Sequence, residues 1–300
     1  MTEDVGGGGA VSAVERTHDG EAALLRASPL ARRHIYAVLR WASQFSLLAA
    51  VLVAWEVISS LAIPRWDPSS ALLFPAPSHV VRTMGRLMAT GDLFIHIGSS
   101  LRRVCIGYLT AAFMAVPLGV AMGWWKAVEV LVDPLVNLLR PVPPLAWIPI
   151  SILWFGIGDA QNGFIIWLCA FFPILLNTAT GVKAIDPLHV RAALCLGATR
   201  TALFRRIILN GALPSIVTGL RIGLGIGWMG LVAAELVAAP SGLGYLISDA
   251  RSLLATDVVV VGMVTIGLLG LLIDIAVRRV AKALIPWLDS PPAASGRERG

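Results

Sequence analysis

Four charged residues lie inside otherwise apolar stretches: Glu56, Arg221, Glu235 and Asp274. A charge at the centre of a bilayer costs about 3 kcal/mol or more unless it is paired or hydrated, so these residues are candidates for a transport pathway. Arg221 could bind an anion, extend to the membrane interface or contact another helix. Arg221 and Glu235 are about 21 Å apart along one helix and cannot pair with each other, whereas Asp274 has Arg278 one turn away.

Three prolines form a second candidate, in the string RPVPP at residues 140–144. Proline has no N–H and interrupts helical hydrogen bonding. At membrane depth, broken backbone is tolerated only where it is buried in protein or lines a water-filled cavity. We therefore predict a pathway lined by Pro141, Pro143, Pro144, Arg221 and Glu235.

Two short motifs are typical of enzymes. Residues 225–230 spell GxGxxG, but this string lies inside an apolar run without the strand that a dinucleotide site requires. Helix packing through Gly223 and Gly227 is favoured instead. Residues 156–159, GIGD, resemble the GxGD motif of intramembrane aspartyl proteases, but the tyrosines lack the following aspartate usual for the second catalytic residue. A protease is therefore a remote alternative. The histidines and cysteines lack ligand spacing, so no metal site is predicted.

The composition places the chain in a membrane. Hydrophobic residues make up 57%, charged residues only 14%, and mean hydropathy is +0.78. A spanning helix needs roughly 20 mostly apolar residues, and about six such runs occur, at residues 45–63, 104–123, 135–155, 163–181, 213–238 and 258–277. The runs are continuously apolar, without the alternation of barrel strands. We predict an all-α, polytopic membrane bundle of about six transmembrane helices.

The polar ends delimit this domain. Residues 1–34 mix acids with arginines and predict a flexible cytoplasmic tail, residues 35–285 the membrane domain, and residues 286–300 a second flexible tail. The first apolar run starts more than forty residues into the chain, which favours an uncleaved helix over a signal peptide. No basic soluble domain is present to bind nucleic acid.

Basic residues predict the orientation by the positive-inside rule. Segments before the first run, between the fourth and fifth, and after the sixth would share the cytoplasmic side, with both termini. They contain Arg26, Arg32, Arg33 and Arg40, then Lys183, Arg191, Arg200, Arg205 and Arg206, then Arg278, Arg279 and Lys282. The long loop after the first run conflicts with this rule because it would be external, yet it contains Arg65, Arg82, Arg86, Arg102 and Arg103. We expect Arg102 and Arg103 to extend to the interface.

The basic segment between the fourth and fifth runs carries helix signals. Asp186 and Pro187 are a typical N-cap and first helical residue, and Gly197 is a typical stop. They predict a helix over residues 187–196, too short to be stable alone in water and therefore docked on something. After Thr199, a second cap, an apolar stripe within a basic stretch predicts either a helix at the membrane surface or a solvated loop.

The same segment resembles the EAA loop of permease subunits in bacterial ABC importers. Ala192, Ala193, Gly197, Ile207 and Leu209 are in register with the family pattern, and a Leu-Pro pair follows at residues 213–214. Arg191 stands where the family usually has Glu, and Asn210 where it usually has Pro. Residues 74–80, 140–159 and 239–247 also look like stretches of the nitrate, sulfonate and taurine branch. The resemblance covers about residues 74 to 280.

The resemblance implies a type I importer permease in which this loop, residues 182–214, couples to an ATPase. Its coupling residues would be Arg191, Ala192, Ala193, Leu196, Gly197, Ile207, Leu213 and Pro214. Two permease copies, identical in the simplest case, would pair with an ATPase dimer in the bacterial inner membrane and receive solute from an external binding protein. The sequence has no Gly-Lys dipeptide and hence no P-loop. We therefore expect a non-catalytic subunit without cofactor, ATP and Mg²⁺ being bound by the ATPase.

The branch implies a small oxyanion as cargo. Aliphatic sulfonate or taurine is the first candidate, and nitrate, bicarbonate or a heterocyclic nutrient is the next. An alternative function, of a different class, is a secondary transporter or channel driven by an ion gradient. Such a protein would usually show two related halves or a relay of intramembrane acids. Neither feature is clear in the sequence.

Overall fold

The computed structural model describes residues 46–47, 49–62 and 73–284, and the chain divides into two units, Met1–Ala71 and Leu72–Gly300. In the first unit, the described residues form an apolar helix, α1, over Ala49–Ser60, which widens into a π-helical turn at Ile58–Ala62. The predicted run at 45–63 is thus described only in part. The predicted tails at 1–34 and 286–300 lie outside the described residues.

The second unit is helical throughout its described part. Its helices, in chain order, are α2 (Pro77–Thr90), α3 (Asp92–Trp124), α4 (Lys126–Leu139), α5 (Ile148–Phe155), α6 (Asp159–Lys183), α7 (Pro187–Cys195), α8 (Arg200–Ala238), α9 (Leu243–Ser252) and α10 (Thr256–Leu284). A 3₁₀ turn, Pro144–Trp147, precedes α5, and a π-helical turn, Phe204–Ile208, lies inside α8. The all-α prediction is confirmed.

Four described helices are long and apolar enough to cross a membrane: α3, α6, α8 and α10. They contain the predicted runs at 104–123, 163–181, 213–238 and 258–277. The break that the prolines predict within the run at 135–155 is confirmed, and it divides the run between α4 and α5, which meet at an angle of 84°. The prolines at 141, 143 and 144 remove the donors that would continue α4. If this bent pair counts as one span, the described residues provide five.

Helix α6 lies at the centre of the bundle, between α3 and α8. Glycines bring the backbones close: a Cβ on Gly119 of α3 would lie 2.7 Å from Thr178 Cβ, and one on Gly223 of α8 would lie 2.7 Å from Ile174 Cγ1. Helices in lipid associate through such close contacts. The predicted packing through Gly223 is confirmed, whereas a Cβ on Gly227 would make only an ordinary contact at 3.5 Å.

The outer surface of the bundle is apolar. Phe113 is 82% exposed and Leu131 is 73% exposed, and many other large hydrophobic side chains point away from the protein interior. A water-soluble domain would not leave so much apolar area in contact with water. Helix α2 is different, because its arginines, Arg82 and Arg86, are exposed while Val80 and Thr83 are buried. The Thr83 hydroxyl donates to Asp257 Oδ2 at 2.6 Å, which ties α2 to the start of α10.

Candidate functional site

A group of charged and polar side chains, buried except at Asp159 and, in part, at Ser241, joins the first third of α3 to the start of α6 and the end of α8. We call it the Arg103 cluster; its members are Ser100, Arg103, Asp159, Glu235 and Ser241. The Arg103 guanidinium lies 2.6 Å from Asp159 Oδ1 through Nε and 2.8 Å from Glu235 Oε1 through Nη1. The Ser100 hydroxyl donates to Glu235 at 2.9 Å and accepts from the Leu243 N–H at the same distance.

The two central charges of the cluster are removed from solvent, since the Arg103 side chain is 2% exposed and that of Glu235 is fully buried. The Gly244 N–H also donates to Glu235 Oε2, at 3.0 Å. Arg103 also donates to Ser241. Removing one member would strand a buried charge, which is more costly than the pair's net contribution. The cluster therefore fixes the relative positions of three helix ends.

The Arg103 cluster corrects one expectation and qualifies another. Arg103 was wrongly expected to extend to the interface; it turns inward because Asp159 and Glu235 supply opposite charges there, and Arg102 alone is exposed. Asp159, the aspartate of the GIGD string, pairs with both arginines. Such neutralisation suits a structural ion pair rather than a carboxyl that shares a proton with a second aspartate.

The sequence did hold a signal for this cluster. Consecutive spanning helices alternate in direction, so the starts of α3 and α6 and the end of α8 must meet at one face of the bundle. Arg103 directly precedes the apolar run at 104–123 within α3, Asp159 begins α6, and Glu235 lies in the last turn of α8. Comparing the predicted depths of charged residues on different helices would have paired these three. The separation of about 21 Å calculated from the sequence concerned only Arg221 and Glu235, which both lie on α8.

Arg221 belongs to a second ion-pair group. Its Nε lies 3.0 Å from Asp274 Oδ1, and Asp274 also accepts from Arg278 Nε at 2.8 Å. The predicted local pair of Asp274 and Arg278 is confirmed. Arg221 is 44% exposed and reaches α10, so helix contact is the alternative that the geometry favours for it. Its pathway role, like that of Glu235, stays a prediction.

A cavity of about 380 Å³ opens between the bend that follows α4 and the middle of α6 and α8. Its lining includes Arg140, Pro144, Cys169, Phe172, Asn177 and Ile226. Of the three predicted pathway prolines, Pro144 therefore reaches the cavity, while Pro141 and Pro143 are exposed outside its lining. Broken backbone beside a cavity is the arrangement expected at membrane depth.

Helix α7 lies at the other end of α6 from the Arg103 cluster, and its ends match the sequence signals. The Asp186 carboxylate accepts from the Leu188 N–H at 2.7 Å, and Gly197 adopts a left-handed conformation with φ +79°. The helix ends at Cys195, one residue before the predicted end. Thr199 caps the following helix by accepting from the Ala202 N–H at 3.3 Å. Both predicted caps are confirmed.

None of the nine residues of α7 is buried within the chain. Leu188 is 67% exposed, Leu194 51% and Leu196 89%, whereas Val190 packs on the bundle. A groove of about 770 Å³ separates α7 from the start of α8. Four of the predicted coupling residues line this groove: Ala192, Ala193, Leu196 and Ile207. Arg191 and Gly197 are exposed beside it, and Leu213 and Pro214 lie further along α8.

The apolar stripe after Thr199 does not form a separate surface helix or a loop. Residues 200–208 run without a break into α8. Leu203 and Ile208 are buried, and Ile208 packs beside Val182 and Ala212. The loop alternative was wrong, whereas the helical alternative is confirmed as to helix, and its place at a membrane surface stays a prediction. The stripe packs on protein because the C-terminal ends of α3 and α6 present an apolar surface to it.

Comparison with known sequences identifies a family and several relatives. The profile of the binding-protein-dependent transport system inner membrane component matches residues 107–289. The taurine transport system permease protein TauC of Escherichia coli K12 is 39% identical over 80% of this chain and 87% of its own. The putative aliphatic sulfonates transport permease protein SsuC of Bacillus subtilis is 36% identical over 83% of this chain and 89% of its own. The nitrate import permease protein NrtB of Leptolyngbya laminosa is 37% identical over 65% of this chain and 70% of its own.

Solved structures share the fold at lower identity. A chain of the MetNI methionine ABC transporter in an inward-facing conformation superposes with a TM-score of 0.57 and 22% identity, covering 64% of this chain and 95% of that one. A chain of an amino acid ABC transporter gives a TM-score of 0.51 and 14% identity. The helix order described above is therefore that of known importer permeases.

We predict that Glu235→Gln destabilises the protein, by about 3 kcal/mol, because Arg103 loses one of its two carboxylates in a buried site. The measurement is the thermal unfolding midpoint of the purified protein in detergent. Asp274→Asn is the matched control, since it also removes a carboxylate that pairs with arginine, but at an exposed site, and should shift the midpoint less. Equal shifts in the two variants would contradict a structural role for the Arg103 cluster.

Proposed function

The chain belongs to the family of inner membrane components of binding-protein-dependent transport systems, and from this premise we propose that it forms the path of an ATP-driven importer for a small oxyanion. Members of this family are multi-pass, non-catalytic ABC importer permeases that work with an ATPase and a substrate-binding protein. What remains to be proposed is which parts of this chain meet those partners and which solute it moves.

The observation that carries the proposal is the state of α7. A nine-residue helix is too short to be stable alone, yet this one is capped at both ends and exposes two leucines, with a third exposed at its C-cap. Exposed apolar side chains on a positioned helix indicate a protein partner. We assign this partner as the ATPase, which supplies the ATP and Mg²⁺ site. The coupling residues are then Leu188, Leu194 and the predicted set around the groove: Arg191, Ala192, Ala193, Leu196, Gly197, Ile207, Leu213 and Pro214.

The proposal also fixes the orientation of the chain. With α7 on the cytoplasmic side, the Arg103 cluster lies on the outer side, where the binding protein delivers solute. Both termini are then cytoplasmic, in agreement with the distribution of lysine and arginine. Two copies of the chain with two ATPase subunits form the complete importer. Closing of the ATPases would move α7, and with it α6 and α8, between two packings of the bundle.

The substrate is proposed from the relatives. The relatives named above carry taurine, aliphatic sulfonates and nitrate in their names, and these solutes share a compact anionic group with several oxygen atoms. Taurine or an aliphatic sulfonate is our first choice, with nitrate or bicarbonate next. A secondary transporter or channel is the competing function, and it differs in its energy source.

We predict that the protein, reconstituted in proteoliposomes with its ATPase and binding protein, takes up taurine only when ATP is supplied on the ATPase side. Hydrolysis should supply the energy, so collapsing proton and sodium gradients with ionophores should leave uptake unchanged. The measurement is accumulation of radiolabelled taurine, with aliphatic sulfonate and nitrate as competitors. Uptake that needs an ion gradient and no ATP would assign the chain to the competing function.

We predict that Leu188→Asp abolishes co-purification of the ATPase and ATP-dependent uptake. An acid at the start of a helix is favourable for the helix itself, so the loss should come from an apolar contact with the partner. Leu253→Asp is the matched control, because Leu253 is 72% exposed in the turn between α9 and α10, at the end of the bundle away from α7. It should leave co-purification intact, and normal co-purification by Leu188→Asp would refute docking at α7.

A further inference from the structure

The cavity beside the bend after α4 lies at mid-depth in the bundle. Pro173, which lines it, is about 21 Å from one end of α6 and about 15 Å from the other. Ile222 and Ile226, on the opposite wall, lie near the middle of α8. The cavity is therefore far from both the Arg103 cluster and α7. Secondary transporters bind solute at this depth, beside discontinuous helices, and the same geometry is present beside the bend after α4.

One cation lines this cavity. Arg140 sits where α4 ends, at the start of the proline-rich bend. Among the residues that the structure describes, none forms an ion pair or a side-chain hydrogen bond with its guanidinium. This separates Arg140 from the other arginines near membrane depth, because Arg103 and Arg221 are each held by a carboxylate. A charge at membrane depth without a partner in its own chain is costly unless water or a ligand compensates it.

The remaining lining suits a small solute that carries one anionic group. Leu168, Phe172 and Ile226 provide apolar walls, while Asn177 supplies an amide. The Asn177 amide already donates to the Pro173 carbonyl at 2.8 Å. Pro173 lacks the N–H that would bond to the Cys169 carbonyl, so this wall also holds a backbone acceptor without its usual helical donor. A volume of about 380 Å³ is in the range of small-molecule sites.

From these observations we infer that Arg140 binds the oxyanion group of the solute at mid-depth, as a transient site on the transport path. The inference rests on the proposed function for its substrate class. A guanidinium offers planar, paired donors that match two oxygens of a sulfonate, carboxylate or nitrate. Arg221 is less suited, because Asp274 already pairs with it. Arg140 would thus favour anions over neutral or cationic solutes inside the permease itself.

The transport test compares Arg140→Gln, Arg140→Lys and Arg279→Gln in the complete reconstituted complex. Arg279 is an exposed control at the far end of α10, outside the cavity. Because hydrogen bonds to a charged group contribute strongly, Arg140→Gln should lower taurine uptake by about tenfold or more. ATP hydrolysis stimulated by the loaded binding protein should persist in this variant, Arg140→Lys should recover much of the uptake, and Arg279→Gln should behave as wild type. Unchanged uptake in Arg140→Gln, or a parallel loss of ATP hydrolysis, would overturn the inference.

A binding test separates this inference from the proposed function. Phenylglyoxal modifies arginines, and peptide mapping by mass spectrometry would give the rate at Arg140 and at Arg279 in the purified permease. Methanesulfonate or nitrate should slow modification of Arg140 and leave Arg279 unaffected. Equal rates at Arg140 with and without these anions, or equal slowing at both arginines, would refute the site. If wild-type complex takes up no anion with ATP, the proposed function fails, whereas this measurement still decides whether Arg140 binds one.

Discussion

The structure depends on the close packing of α3 and α8 against α6. Glycines at these contacts allow backbone to approach side chains at distances that a Cβ would block, so the three helices behave as one rigid body. Helix α6 carries Asp159 at one end and leads directly into α7 at the other. In the proposed function, a displacement of α7 would be passed to these packed helices. Their packing would let a nine-residue surface helix act on the cavity beside Arg140.

The charged groups of this packed unit differ in how they are compensated. At one end, Arg103 is paired with Asp159 and Glu235, and nearer mid-depth Arg221 and Arg278 share Asp274. At the bend after α4, Arg140 has no such partner among the described residues. Paired charges hold helices together, whereas an unpaired cation beside a cavity is available to a solute. The arrangement thus separates structural charges from the one that we assign to transport.

Local features of the fold could be predicted from sequence, and long-range ones could not. The caps of α7 follow from Asp186, Pro187 and Gly197 because capping depends only on near neighbours. The apolar runs of α3, α6, α8 and α10 follow from composition. The prolines at 141, 143 and 144 predicted the break after α4, but the angle of 84° between α4 and α5 depends on packing against other helices and could not be predicted. The inward turn of Arg103 was missed because its partners lie on other helices, where only tertiary packing brings them close.

The central claim, that α7 lies in the cytoplasm under the ATPase, can be tested at a natural side chain. Cys195 ends α7 and is exposed, whereas Cys169 is buried. In a Cys105→Ser background, a membrane-impermeant maleimide should label Cys195 in inside-out vesicles but not in sealed right-side-out ones, and bound ATPase should slow the reaction. Labelling from the outside, or a rate that does not change when the ATPase is stripped from the membrane, would contradict the account.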